Sequence, residues 1–139
     1  MIVIDASLAF KWFVEEIDSD AAIAFASISD LVAPSLLRSE VGNALWKKVV
    51  SKEITAAGAE SALASIDAFI FEWVELAELT PSAFAIAVEL GHPIYDCYYL
   101  ALAQARDLNL ATADDRFAAR CTKSRFASLL VEWRQNRAL

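Results

Sequence analysis

Apolar residues run along this chain in two rhythms. Short unbroken blocks, most of them rich in β-branched residues, alternate with longer stretches whose apolar positions recur every three to four residues. The opening block MIVID (residues 1–5) lacks the in–out alternation of a half-exposed strand. It therefore predicts a strand covered on both faces. DLVAP (30–34, stopped by Pro34), the region from Trp73 to Glu75, and residues 109–111 read as three further short strands. ASLLVEW (127–133) is a possible fifth strand, and RQNRAL (134–139) reads as a frayed tail.

Helices are predicted between these blocks. ASLAFKWFVEE (6–16) gives the first and SDAAIAFASIS (19–29) the second, with Asp18 or Ser19 as its cap. SLLRSEVGNALWKKVVSKE (35–53) is the clearest amphipathic segment. Leu37, Val41, Ala44, Leu45 and Lys48 share one side, Trp46 falls opposite, and Ser35 is the expected cap. TAAGAESALASIDAFIF (55–71) gives a fourth helix. TPSAFAIAVELG (80–91) gives a fifth, with Pro81 in its first turn and Gly91 just past its end. HPIYDCYYLALAQA (92–105) gives a sixth, with Asp96 at its head. Strands alternating with helices imply an α/β fold: a central parallel sheet of four to five short strands with helices on both faces. Without a repeat, low-complexity run or linker, residues 1–139 read as a single domain.

Composition removes several classes of function. Three glycines cannot build a GxGxxG or Walker loop, and a lone histidine (His92) with two cysteines (Cys97, Cys121) makes a structural zinc site an unlikely design. Cys97 reads as a small core residue. Apolar residues make up 58% of the chain, but no charge-free run is long enough to cross a bilayer. Asp5 and Lys11 interrupt the N-terminal apolar stretch, so the expectation is a cytoplasmic protein with no secretory signal and no membrane contact. The net charge of −7 alone argues against nucleic acid.

Four carboxylates alter that picture. In open α/β sheets, ligands sit beyond the carboxyl ends of strands. Asp5 ends the first predicted strand, and Asp114 follows the fourth through TAD. A helix that precedes a parallel strand runs antiparallel to it, so Asp96 should lie at the same edge. Glu40 borders the apolar stripe of the third helix and faces inward. Each acid taken singly has a plainer reading: Asp96 as a helix cap, Asp5 and Asp114 as turn formers, Glu40 as a solvated side chain. Together they would repel one another, and a hard cation relieves that repulsion. All-oxygen ligands point to Mg²⁺ or Mn²⁺, one ion or two.

These residues resemble the PIN-domain family, specifically VapC-type toxins of bacterial toxin–antitoxin pairs. The likeness is carried by VIDASLAFKWF, APSLLRSEVGNALWK, GHPIYDCYYLALAQ and LATADDRF, spread over nearly the whole chain. It implies a three-layer PIN-like fold and a metal-dependent endoribonuclease that hydrolyses RNA phosphodiesters. Asp5, Glu40, Asp96 and Asp114 match the family's metal-binding acids. Many members carry a further acid two residues after the TAD aspartate; Arg116 stands there in this chain, and Asp115, one residue early, is the candidate for a further metal ligand. Ser7 and Thr112 match small polar positions that orient a carboxylate or water, with capping and turn hydrogen bonding as the alternative.

The resemblance also implies a homodimer and a cognate antitoxin partner. Exposed apolar surface on the first two helices and at Trp46 is the expected basis for such contacts. Two divalent ions would cancel over half of the net charge, and RNA would be held by a local basic rim. Lys11, Arg38, Lys47, Lys48, Arg116 and Arg120 are its candidates, while Arg125, Arg134 and Arg137 have no assigned place. The aromatic residues Trp12, Phe13, Phe25, Phe69, Phe71 and Trp73 read as core. A catalytically weak PIN-like module that binds RNA or protein is the alternative function. A phosphomonoesterase or phosphorelay receiver would want a second acid beside Asp5, where Ser7 stands two residues on.

Overall fold

The computed structural model describes residues 1–135. Four strands, β1 (Ile2–Ile4), β2 (Leu31–Pro34), β3 (Glu72–Val74) and β4 (Asn109–Ala111), form one parallel sheet in the order β3-β2-β1-β4. Ile4 pairs with Ala111 and Val3 with Val32, so β1 is central and its carboxyl end lies beside that of β4. Every residue of β2 is buried, as are Val3 and Ile4 of β1, as the unbroken apolar blocks require of strands covered on both sides.

The fifth strand is not formed. Ala127–Leu129 is a 3₁₀ turn, and only Leu130 bridges the sheet, opposite Leu110. Asn109 Nδ2 donates to the carbonyl oxygens of Ser128 and Leu129, and Val131 N–H to Leu110 O, which holds this segment on the edge without a ladder. The frayed tail is also corrected at its start. Arg134 pairs with Asp18 and Asp115 at 3.0 Å each, beside Trp133, the last residue of the expected strand, which is 1% exposed. Residues 136–139, Arg137 among them, lie outside the described residues.

Seven α-helices complete the described fold: α1 (Ala6–Phe10), α2 (Ser19–Ala26), α3 (Leu36–Val50), α4 (Ala56–Ser65), α5 (Leu76–Leu90), α6 (Ile94–Arg106) and α7 (Asp115–Thr122). α1 stops earlier than its apolar run. The chain reverses after Lys11, where Ser19 Oγ accepts from Glu16 N and donates to Val14 O. α4 ends at Ser65 and gives way to a 3₁₀ turn, Ile66–Ala68. α5 begins a turn before the expected start, which places Pro81 inside the helix. The ring removes one backbone donor, yet the buried face of Leu79, Ala83 and Ile86 and the packing of α5 on α6 hold the helix together.

α7 was not anticipated from the pattern, because its apolar signal is only Phe117 and Cys121, four residues apart and both fully buried. Ser35 and Asp18 precede their helices but make no side-chain cap bond. Among the aromatics, Trp12 and Phe13 pack on Phe69, whereas Phe71 is 66% exposed, contrary to its reading as core. Trp46 is 59% exposed, opposite the buried Leu37, Val41 and Leu45. Among the described residues, no helix is long and apolar enough to cross a membrane.

Candidate metal and nuclease site

Asp5 leaves the carboxyl end of β1 and is only 3% exposed. Three donors hold it. Ser7 Oγ (2.7 Å) and Leu8 N–H (3.1 Å) donate to Oδ1, and the Thr112 hydroxyl donates to Oδ2. The Leu8 bond makes Asp5 the cap of α1. Each hydroxyl is fixed in turn, since Ala113 N–H donates to Ser7 Oγ at 2.9 Å and Asp114 N–H to Thr112 Oγ1 at 3.1 Å. Ser7 and Thr112 therefore spend their single protons on Asp5 and clamp the β1–α1 turn to the β4–α7 turn. Burial raises the Asp5 pKa from 3.8 to about 7; the bonds from Thr112, Ser7 and Leu8 oppose the rise, and the charge of Asp96 adds to it.

The plainer readings of the acids are redistributed. Asp96, expected as a possible cap, is the third residue of α6, which Pro93 precedes, and it caps nothing. Its Oδ2 lies 2.6 Å from His92 Nε2, one turn back, and the imidazole leans on the ring of Phe117 (centroids 5.1 Å). Asp114, expected as a possible turn former, caps α7 through Oδ1, which accepts from Arg116 N–H and Phe117 N–H at 3.0 Å each.

Glu40 is partly buried on α3, and its Oε1 accepts from Tyr99 OH at 2.6 Å. Burial raises its pKa, Tyr99 opposes that, and Asp96 adds to it. Tyr99 is 1% exposed, and burial followed by the charges of Glu40, Asp5 and Asp96 holds its phenol well above the usual range. The acids thus feel one another: Asp96 acts on both Asp5 and Glu40, and all three act on Tyr99. Cys97 is fully buried, its thiol pushed up to about 11 by burial, in keeping with a core role.

Tyr99 was missed in the sequence reading. Its signal was there: a tyrosine three residues after Asp96, on the same side of a mostly buried helix, whose hydroxyl must find a partner. Tyr99→Phe is expected to lower stability by about 1–2 kcal/mol, read by urea denaturation, because it leaves Glu40 Oε1 half-buried without its donor.

The basic candidates separate. Lys11 is committed to Ile17 O (2.7 Å) and Glu16 (3.5 Å), and Lys48 pairs with Glu53. Arg38 lies over Trp73 and bonds Asp67. Lys47 and Arg116 are exposed, and Arg120 donates to the last carbonyls of α5. Asp115 is drawn outward to Arg134, its side chain 84% exposed.

A hard cation suits these donors only in a particular way. Among the described residues, no three acids, histidines or cysteines converge into a ready-made cage. Zinc and calcium sites usually are such cages, whereas Mg²⁺ keeps several waters and needs one or two carboxylates plus substrate phosphates. By donor type, carboxylates such as Asp5 and Asp96 suit that lesser demand, and the charge of Asp96 reaches both Asp5 and Glu40.

Carboxylates thus follow β1 and the neighbouring edge strand β4 of a parallel sheet. The PIN-domain model fits residues 2–123, and the chain belongs to the PIN-domain family, in its VapC-type branch. It is 39% identical over 89 residues to Ribonuclease VapC1 of Mycobacterium tuberculosis, covering 63% of this chain and 65% of that protein, just under two thirds of its length. It is 31% identical over 121 residues to Ribonuclease VapC3 of Pyrobaculum aerophilum, covering 84% and 92%. The crystal structure of PAE2754 from Pyrobaculum aerophilum superposes with a TM-score of 0.66 at 25% identity, over 86% of this chain and 78% of that one.

Proposed function

We propose that this chain is a Mg²⁺- or Mn²⁺-dependent endoribonuclease, cytoplasmic, and the toxin of a type II toxin–antitoxin pair. The observation that carries the reading is Asp5: a carboxylate buried at the central strand's end, gripped by Ser7 and Thr112 from two turns and facing the charge of Asp96. Likeness to proteins named Ribonuclease VapC supports RNA as substrate and an antitoxin as partner. A single-domain homodimer belongs to the same proposal, with exposed Trp46, Ile17, Ile23 and Ile28 as apolar contact surface.

One or two of Asp5, Asp96, Glu40 and Asp114 would ligate the ion directly and the others through its waters; when bound, the ion activates water and offsets charge on the phosphoryl oxygens. The chain's own part is positional. Ser7 and Thr112 keep Asp5 in one rotamer, and Tyr99 fixes Glu40 from the core side. α7 presents Asp114 from its first turn. None of these side chains is arranged as a nucleophile, since both hydroxyl protons already serve Asp5.

The direct test is incubation of purified protein with RNA and Mn²⁺, wild type against Asp5→Asn. Cleavage by the wild type alone supports the reading; identical RNA patterns reject it. The bonds of His92 to Asp96 and Tyr99 to Glu40, which occupy two of the acids, favour a second reading, a weak or inactive module that binds RNA. RNA retained but uncut at millimolar Mn²⁺ would select it. Metal should also stabilise the fold by relieving repulsion: a rise in Tm of a few degrees at millimolar Mg²⁺ or Mn²⁺ is expected in a thermal scan.

A further inference from the structure

A groove of about 580 Å³ lies between the C-terminal end of α5 and α7, apart from the carboxylates. Arg116, Arg120, Lys123 and Arg125 line it against a single acid, Glu89. The chain has 12 lysines and arginines and a net charge of −7, so a third of its cations stand in one furrow. Helix geometry puts them there. Phe117 and Cys121 turn α7's other face into the core, and Arg116, Arg120 and Lys123 follow at i, i+4 and i+7 over about 10 Å.

Their states differ. Glu89 neutralises Arg125 at 2.8 Å, and Arg120 is braced by Leu90 O (2.9 Å) and Gly91 O (3.0 Å). Arg116 and Lys123 are exposed. Both walls lead to the carboxylate site: Asp114 lies two residues before Arg116, and Gly91 is followed by His92, which bonds Asp96. The lining holds no aromatic ring, hence no platform on which a base could stack.

We propose that this groove holds the phosphate backbone of single-stranded RNA flanking the bond to be cut, without reading its bases. The inference rests on the ribonuclease reading and adds where the rest of the substrate lies. Continuity with the carboxylates favours an RNA strand over an acidic protein segment.

The test uses the full chain carrying Asp5→Asn, so that RNA is bound without turnover. Fluorescence anisotropy with a labelled single-stranded oligoribonucleotide is read across a salt series, with and without Arg116→Glu plus Lys123→Glu. Both side chains are exposed, and a thermal melt checks that the fold is kept. Removing two phosphate contacts should weaken binding roughly tenfold at low salt and flatten the slope of log K against log salt by about 1.4. Lys52→Glu, in the turn after α3, should leave the slope unchanged. Unaltered binding in the groove variant overturns the proposal, as does an equal loss in Lys52→Glu, which would mean diffuse attraction. Binding of an acidic peptide at the groove with RNA affinity intact would assign it to a protein partner instead. Cleavage by the wild type, assayed separately, is untouched by any of these failures and tests the ribonuclease reading alone.

Discussion

Asp5→Asn is expected to abolish RNA cleavage while making the metal-free protein more stable. Loss of the buried charge that would hold the ion should lower the rate roughly a thousandfold, about 4 kcal/mol of transition-state stabilisation. The stability gain follows from burial. The folded chain holds the Asp5 pKa at about 7 against an ordinary 3.8, so at neutral pH ionised Asp5 costs on the order of 4 kcal/mol in metal-free protein. Asparagine pays no such penalty. Its amide must face Thr112, whose hydroxyl then turns to accept instead of donate, which takes back about 1–2 kcal/mol.

The sign with pH is definite. Below pH ~3 Asp5 is protonated in both folded and unfolded chains, and the effect of the substitution no longer varies with pH. From there to about 7 the unfolded chain binds fewer protons than the folded one, so this residue lowers wild-type stability as pH rises. Urea denaturation of wild type and Asp5→Asn at several pH values, with chelator present, should give curves that separate across that window. Parallel curves would mean that Asp5 is solvated or otherwise compensated.

Trp133→Ala should lower stability by about 3–5 kcal/mol, enough to unfold a marginal protein at growth temperature. Its ring is among the largest fully buried side chains, and Nε1–H donates to Thr112 O at 2.7 Å. That carbonyl belongs to the residue whose hydroxyl grips Asp5, so the loss reaches the site as well as the core. Trp133→Phe separates the two effects: it keeps most of the packing and removes the bond, for an expected loss of about 1–2 kcal/mol. Chemical denaturation gives the stability difference. A cleavage rate that falls further in Trp133→Phe than in an equally destabilised core variant would show that Thr112 positions Asp5.

The strands and the carboxylates were legible for different reasons. β1 and β2 announced themselves as unbroken apolar blocks, β4 more weakly behind the exposed Asn109, and parallel topology alone sends Asp5 and Asp114 to one edge. The family match ends at residue 123, yet Trp133 lies ten residues beyond it, packed under the site. Trp133 was read as the end of a short strand, which gives no sign of the site beneath which it packs, and its partner is a backbone carbonyl 21 residues away. α7 escaped notice because two apolar residues make too short a stripe. The fifth strand was overread because three apolar residues in a row, Leu129 to Val131, fit an edge turn as well as a ladder. Pairings such as Tyr99 with Glu40, 59 residues apart, depend on how α3 and α6 pack, which no local pattern encodes.

The grip on Asp5 also dictates when the site can exist. Thr112 lies 107 residues downstream of it, and Ala113 lies 106 downstream of Ser7. A nascent chain still on the ribosome, with its first half already emerged, has made the aspartate but not the hydroxyl that orients it. Synthesis proceeds at about 5–20 residues per second, so several seconds separate the two. A growing polypeptide of this kind lacks the oriented carboxylate until residue 112 has been added and has folded back onto the first turn.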